Sequence, residues 1–269
     1  MDNIEDSVYN PTVYETFVAV KPEYAFLDKD VEFNMVQLSV VTTPSNIYAQ
    51  KLSSFSILED LNKKKNSFIN CSYNKIKQEL LSLCYCLAKL SNESYYCRAQ
   101  IVQVTENDYV QVFFVDYGDR DKVLINEIYP IEDRFITKLP FQAIKCSLEG
   151  ITPLKCLSKS VEDWEYDVGD FIWKVTRDSE NFHHKILVHV REEEEKNENF
   201  KHRSYVVDLY RYNLPIPIDV THSIVAGGLA GFSETKEAGL FPYLQSNRNN
   251  CGNSIVSNLA RLSLINFVG

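Results

Sequence analysis

Between Tyr95 and Gly118 the sequence sets tyrosine and phenylalanine rings beside a carboxylate, a combination suited to holding a cation. The stretch Tyr95-Tyr-Cys-Arg-Ala-Gln-Ile-Val and the stretch Val-Phe-Phe-Val-Asp-Tyr-Gly118 read as two strands joined by the polar turn Thr105–Asp108. Alternation puts Cys97, Ala99 and Ile101 on one face of the first strand and Tyr96, Arg98 and Gln100 on the other. In the second strand Phe113 and Val115 alternate with Phe114 and Asp116. Antiparallel pairing is expected to set Tyr96 opposite Phe114 and to bring Arg98 near Asp116. Tyr117 then falls on the exit turn, where Gly118 supplies a permissive backbone. The plainer reading of the same residues is a half-buried hairpin with ordinary aromatic packing, and periodicity leaves both readings open.

The elements that must position these groups are drawn from a chain of 269 residues, long enough to bury a real core as one large domain or two. Sixteen Tyr and fifteen Phe favour pleated structure. The net charge of −9 argues against broad binding to a phosphate backbone and suits a cationic partner such as an arginine-rich peptide. Seven cysteines form no Cys-x-x-Cys pair and sit mostly in apolar runs. They are expected as reduced, buried thiols of a soluble intracellular protein, not as zinc ligands or a disulfide framework. No apolar run approaches the length of a membrane span.

In chain order, residues 1–32 are acidic and irregular and are expected to be a linker or arm, with Tyr24, Phe26 and Leu27 able to dock. Val36–Val41 and Ile47–Leu52 read as a hairpin around Thr43-Pro-Ser-Asn46. Ser56-Ile-Leu-Glu59 reads as a capping box opening a helix, and a second helical run is expected around Tyr73–Leu83. Ile125–Ile128 suggests a short helical turn, Val161–Trp164 a helix and Asp170–Val175 a strand. His183–Val190 and Val206–Tyr210 are the next expected strands, and Asp219 caps a helix that ends at Gly227-Gly228.

Four motifs follow one another: Cys86-Leu-Ala-Lys-Leu90, Tyr95-Tyr-Cys-Arg-Ala99, Phe113-Phe-Val-Asp-Tyr-Gly118 and Leu139-Pro-Phe-Gln-Ala-Ile-Lys-Cys146. This ordered series resembles the extended Tudor domain, over about Val36 to Ala230. The resemblance implies a mainly β fold with helices (α+β), an SH3-like Tudor barrel inserted into an OB-type, staphylococcal-nuclease-like domain. On that pattern residues 33–83 form the first part of the nuclease-like half, 84–148 the barrel and 149–232 the second part. A tail of uncertain structure, 233–269, remains.

The resemblance also implies a cage for methylated arginine. Its aromatic positions fall on Leu90, Tyr96, Phe114 and Tyr117, and Asp119 stands where the family usually has Asn. Leu90 removes one wall of π density and Asp119 replaces a neutral amide with an anion. Three outcomes stay open: weak methylarginine binding, acceptance of unmodified arginine, or a degenerate site. Arg98 and Asp116 read as structural support that fixes the two cage strands. The implied partner is the Arg-Gly or Arg-Ala tail of a Piwi or Argonaute-like protein. The implied setting is the cytoplasmic, perinuclear germ granules of piRNA silencing.

A nuclease-like half raises a second class of function, a residual nuclease or single-strand binder. The acids Glu192–Glu195 read as a solvated loop, and His183, His184 and His189 as surface histidines. The basic run Lys63–Lys65 reads as a solvated helix end. Gly227–Gly231 lacks the Gly-Lys-Ser/Thr of a phosphate loop. The expectation is therefore a non-enzymatic adaptor, with no metal, cofactor, membrane or direct nucleic-acid partner.

Overall fold

The computed structural model describes residues 20–69, 85–90, 95–105, 108–154, 164, 167–177, 185–194, 203–212 and 217–233. The protein is mainly β with helices and divides into two compact units. One takes the described residues up to Phe26 and those from Ala49 to Ile144; the other takes Leu27–Tyr48 and the described residues from Lys145 onward. The chain opens with a hairpin of β1 (Asn34–Thr43) and β2 (Asn46–Lys51). Along β1, Val36 and Leu38 are buried and alternate with half-buried Met35, Gln37 and Ser39, as a two-residue period requires. Helix α1 (Phe55–Ile69) follows. The expected run at Tyr73–Leu83 lies outside the described residues.

The unit that holds the aromatic hairpin is built on β3 (Tyr85–Lys89), β4 (Tyr96–Val104), β5 (Tyr109–Phe114), β6 (Arg120–Leu124) and β7 (Tyr129–Pro130). These five form one antiparallel sheet in the order β6-β5-β4-β3-β7. Its core takes alternate residues: Cys86 and Ala88 from β3, Cys97, Ala99 and Ile101 from β4, and Val110, Val112 and Phe114 from β5. A single 3-10 turn at Ile125–Glu127 and the short helix α2 (Asp133–Thr137) carry the chain onward.

The sequence places residues 33–83 with the other half, but the division falls inside β2, so α1 groups with the barrel unit. The physical reason is the buried stripe of α1, which includes Leu58, Leu61 and Asn62, and the packing of this helix on β4. Part of the expected arm also belongs here. Tyr24 makes a parallel bridge to Phe141, with Ala25 N donating to Phe141 O at 2.8 Å and Phe141 N donating to Glu23 O at 2.8 Å.

The second unit contains β8 (Ile144–Leu148), β9 (Ile151–Thr152), helix α3 (Asp167–Thr176), β10 (Ile186–Glu194), β11 (Ser204–Arg211), β12 (Ile218–Asp219), helix α4 (Val220–Ala226) and β13 (Gly231–Phe232). Strand β8, like β2, crosses the division, which falls between Ile144 and Lys145. The main sheet runs β10-β1-β2-β8-β11-β12, and β10 also pairs with β11, so five of its strands close into a ring. Asp219 caps α4 as expected, its Oδ1 accepting from His222 N at 3.0 Å, and Gly228 closes the helix with φ 72°.

Two expectations are corrected in this unit. The segment expected as a strand at Asp170–Val175 lies in α3. Phe171, Ile172, Trp173 and Val175 have strand-favouring side chains, but Val168, Ile172 and Thr176 are buried at a spacing of four, which is a helix stripe. The acids Glu192, Glu193 and Glu194, expected in a loop, continue β10 opposite Val206, Tyr205 and Ser204, exposed and with Arg203 paired to Glu193. Ladder bonds of the backbone hold them in line while their carboxylates stay in water. His189 lies in the same strand, with Nδ1 2.8 Å from Glu32 O, whereas His183, His184 and nearly all of Val161–Trp164 fall outside the described residues.

Gly169 shows how closely α3 approaches β1. A Cβ there would lie 2.5 Å from Thr42 O, a backbone atom that cannot swing away. Gly169→Ala is therefore expected to destabilise the protein by about 1–3 kcal/mol, read as a lower urea midpoint with an unchanged slope. An unchanged midpoint would show that helix and strand separate freely.

Candidate functional site

The β4–β5 register decides which aromatic residues meet. Ala99 lies opposite Phe114 and Gln100 opposite Phe113. Partners directly across an antiparallel ladder share a face, so Phe114 belongs with Ala99 and Cys97 inside the barrel. Tyr96 is one residue out of phase with Cys97 and emerges on the other face. Its ring stacks edge-on against Tyr129 at 5.2 Å, and burial together with the Tyr129 hydroxyl raises its phenol pKa. The expected pairing of Tyr96 with Phe114 is thus corrected.

Around the place where the cage was expected, the structure gathers a different set. Leu90, Tyr95 and Tyr117 are half-buried and pack against the cluster that contains Cys97 and Phe114. The hydroxyls of Tyr95 and Tyr117 lie 3.3 Å apart, and Asn62 Nδ2 of α1 donates to Tyr117 Oη at 3.0 Å. Burial, the Cys97 thiol and the Tyr95 hydroxyl drive the Tyr117 phenol far upward, so this ring stays neutral. Phe114 is wholly buried within that cluster, so its ring face is closed to a ligand.

The turn after β5 sets Tyr117. Tyr117 N and Gly118 N both donate to Phe114 O, at 3.0 and 2.8 Å, and Gly118 adopts φ 90°, which a side chain at that residue would resist. Asp119 follows and is exposed, with its Oδ1 accepting from Arg120 N at 2.8 Å.

Beneath the opposite face of β4, Arg98 and Asp116 form a fully buried ion pair. Arg98 Nη2 donates to Asp116 Oδ1 at 2.5 Å and Nε donates to Oδ2 at 2.8 Å, a bidentate fork. The remaining guanidinium donors reach the carbonyls of Phe135, Leu139 and Pro140 at 2.8, 2.6 and 3.1 Å. Gln142 N adds a bond to Asp116 Oδ1, and Gln50 Nε2 donates to the Asp116 carbonyl. Phe141 lies under the guanidinium, 4.8 Å from ring centroid to Cζ. Arg98 thus ties β4 to the segment that leaves the barrel, and every polar group in the pair has a partner.

Two residues of this site escape a reading by strand alternation. Tyr95 precedes the strand, so period two says nothing about its direction, although its place beside Tyr96 marks it as the other candidate ring. Asn62 comes from a helix remote in sequence. Its only signal was its place on the apolar stripe of α1, where an amide needs a reason to be buried.

The Tudor domain family model matches residues 28–150. Over 151 residues the chain is 32% identical to TDRD12 of Bombyx mori, named for an ATP-dependent RNA helicase; the match covers 56% of this chain and 8% of that protein. The extended Tudor domain TD3 of mouse TDRD1, solved with a dimethylarginine-containing MILI peptide, superposes with a TM-score of 0.65 at 21% identity. It covers 80% of this chain and 100% of its own. The extended Tudor domain of Drosophila melanogaster Papi, solved with an unmethylated Piwi N-terminal peptide, gives 0.64 at 17% identity, covering 76% and 100%. Identities this low establish a shared fold.

Proposed function

We propose that this protein, whose residues 28–150 match the Tudor domain family model and whose fold is shared with extended Tudor domains, is a non-catalytic adaptor that binds an arginine-containing peptide. The observation that carries the proposal is the pair Tyr95 and Tyr117, hydroxyls 3.3 Å apart, half-buried with Leu90 against the cluster that contains Phe114, Tyr117 standing two residues before the exposed Asp119. Ring faces attract a weakly hydrated guanidinium, by roughly 0.5–2 kcal/mol for each good contact. The peptide in this reading is the arginine-bearing tail of a Piwi or Argonaute-like protein. The setting is piRNA silencing in perinuclear germ granules. Support comes from the mouse domain, solved with a MILI peptide, and the fly domain, solved with a Piwi peptide. The closed ring of β10, β1, β2, β8 and β11 is assigned, in the same reading, to the nuclease-like half.

Calorimetry with one arginine-rich peptide, unmodified and symmetrically dimethylated, tests the proposal. Tyr117→Ala is expected to weaken binding by about tenfold. Tyr96→Ala, on the opposite face, should stay within about twofold of the parent protein. An aliphatic wall at Leu90 and an anion at Asp119 favour a free guanidinium edge over added methyls. Dimethylation is therefore expected to change affinity by less than about tenfold. The double exchange Leu90→Phe with Asp119→Asn should shift preference toward the methylated peptide. Loss of binding in Tyr96→Ala with none in Tyr117→Ala would move the site to the other face of β4.

A further inference from the structure

Helix α1 carries a lysine inside its buried stripe. Leu58, Leu61, Asn62, Lys65 and Ile69 recur at spacings of three and four, and all five are buried. Lys63 and Lys64 are exposed as expected, but Lys65 is 0% exposed, which corrects the reading of this basic run as a solvated helix end. Its Nζ has no hydrogen-bond partner among the described residues. A buried ammonium is ordinarily paired.

The carboxylate that acts electrostatically on Lys65 is Asp116, and Arg98 already holds both Asp116 oxygens. Among the described residues this neighbourhood therefore contains two cationic side chains, Arg98 and Lys65, against one anion. Its position relative to the rings follows from two links. Lys65 lies one helical turn beyond Asn62, which donates to Tyr117 Oη. Asn66, the residue after Lys65, accepts from Tyr96 N at 3.0 Å, so this turn of α1 lies against the start of β4, and Leu90, Tyr95 and Tyr117 pack against the cluster that contains Cys97 of β4.

Building on the arginine-binding function above, we propose that Lys65 is a specificity-determining residue of that site: its ammonium opposes a guanidinium entering the ring group, and the arginine is held fully only when Lys65 has given its proton to solvent. Among the described residues, the titratable and charged groups that act on Lys65 are Cys97 and Arg98 of β4 and Asp116 of the turn after β5. Burial pulls the Lys65 amine down to about 8, and Arg98 pulls the same way, against Asp116 and Cys97. A guanidinium held nearby lowers it further. Binding then expels a proton at any pH between the bound and free values, so affinity rises with pH. The rise ends near pH 8, above which Lys65 is neutral before the peptide arrives.

Calorimetry of the unmodified arginine peptide in two buffers of different ionisation enthalpy, from about pH 6.5 to about pH 9, reads the proton directly. The wild-type protein is expected to release a fraction of a proton near pH 7.5 and to gain at least roughly threefold in affinity between pH 6.5 and 8.5. Lys65→Met keeps the stem and removes the charge. It should release none, show a flat profile and bind more tightly than wild type at pH 6.5. Binding by both proteins with equal proton release and equal slopes overturns the role of Lys65 and leaves the arginine-binding function standing. If neither protein binds at any pH, the arginine-binding function falls and the role of Lys65 falls with it. Should Lys65→Met fail to fold, the wild-type measurement decides: binding without proton release below pH 8 overturns the inference.

Discussion

Replacing Asp116 by Ala is expected to lower the unfolding free energy by about 3–5 kcal/mol, a large part of the stability of an ordinary domain. The exchange leaves the Arg98 guanidinium fully buried without its counter-charge, and the cost of that stranded cation outweighs the value of the pairing itself. Arg98→Leu should be comparably damaging for a second reason. It strands the carboxylate and also withdraws the donor from the carbonyls of Phe135, Leu139 and Pro140. Urea unfolding followed by circular dichroism measures both. Combining Arg98→Met with Asp116→Leu removes both charges at once, so it should cost less than the sum of the single exchanges. Single variants within about 1 kcal/mol of wild type would mean that the pair contributes little beyond filling space.

Phe114→Ala is expected to be the other severe change, at about 3–5 kcal/mol, because it empties the interior of the barrel. Its effect on peptide binding should track unfolding and recover at lower temperature or with stabilising osmolyte. Tyr117→Ala contrasts with it. That ring is half-buried, and its removal takes away the hydroxyl that bonds with Asn62 and Tyr95 without hollowing out the interior. The expected signature is weakened binding in a protein that still melts cooperatively. If Phe114→Ala instead keeps near-native stability while binding disappears, the ring is a wall of the site and the rotation of β5 inferred from its register is wrong.

The division between what was legible and what was not follows from the range of the interactions involved. Alternation along Val36–Leu38 and Cys97–Ile101, the caps of α4 and the turn at Gly118 are local: each is set by neighbours a few residues away, so the sequence determined them. The motif series from Cys86 to Cys146 likewise carried the fold class. Local signals also misled where two elements share a composition, as in α3, whose aromatic and branched residues suit a strand while the four-residue spacing of Val168, Ile172 and Thr176 is helical.

The membership of the site was settled by contacts between segments far apart in sequence. A one-residue choice of register between β4 and β5 moves Tyr96 from the interior face to the exterior, because successive side chains of a strand point oppositely. Nothing in either strand alone fixes that choice. Asn62 and Lys65 meet Tyr117, Cys97 and Asp116 only because α1 lies on β4, more than thirty residues away in sequence. By itself the sequence determined that there is an aromatic hairpin with an arginine–aspartate pair between its strands. The tertiary structure decided which rings stand together and buried Lys65 of α1 with no hydrogen-bond partner among the described residues, since burial and charge pairing depend on packing between elements and not on the order of residues within one.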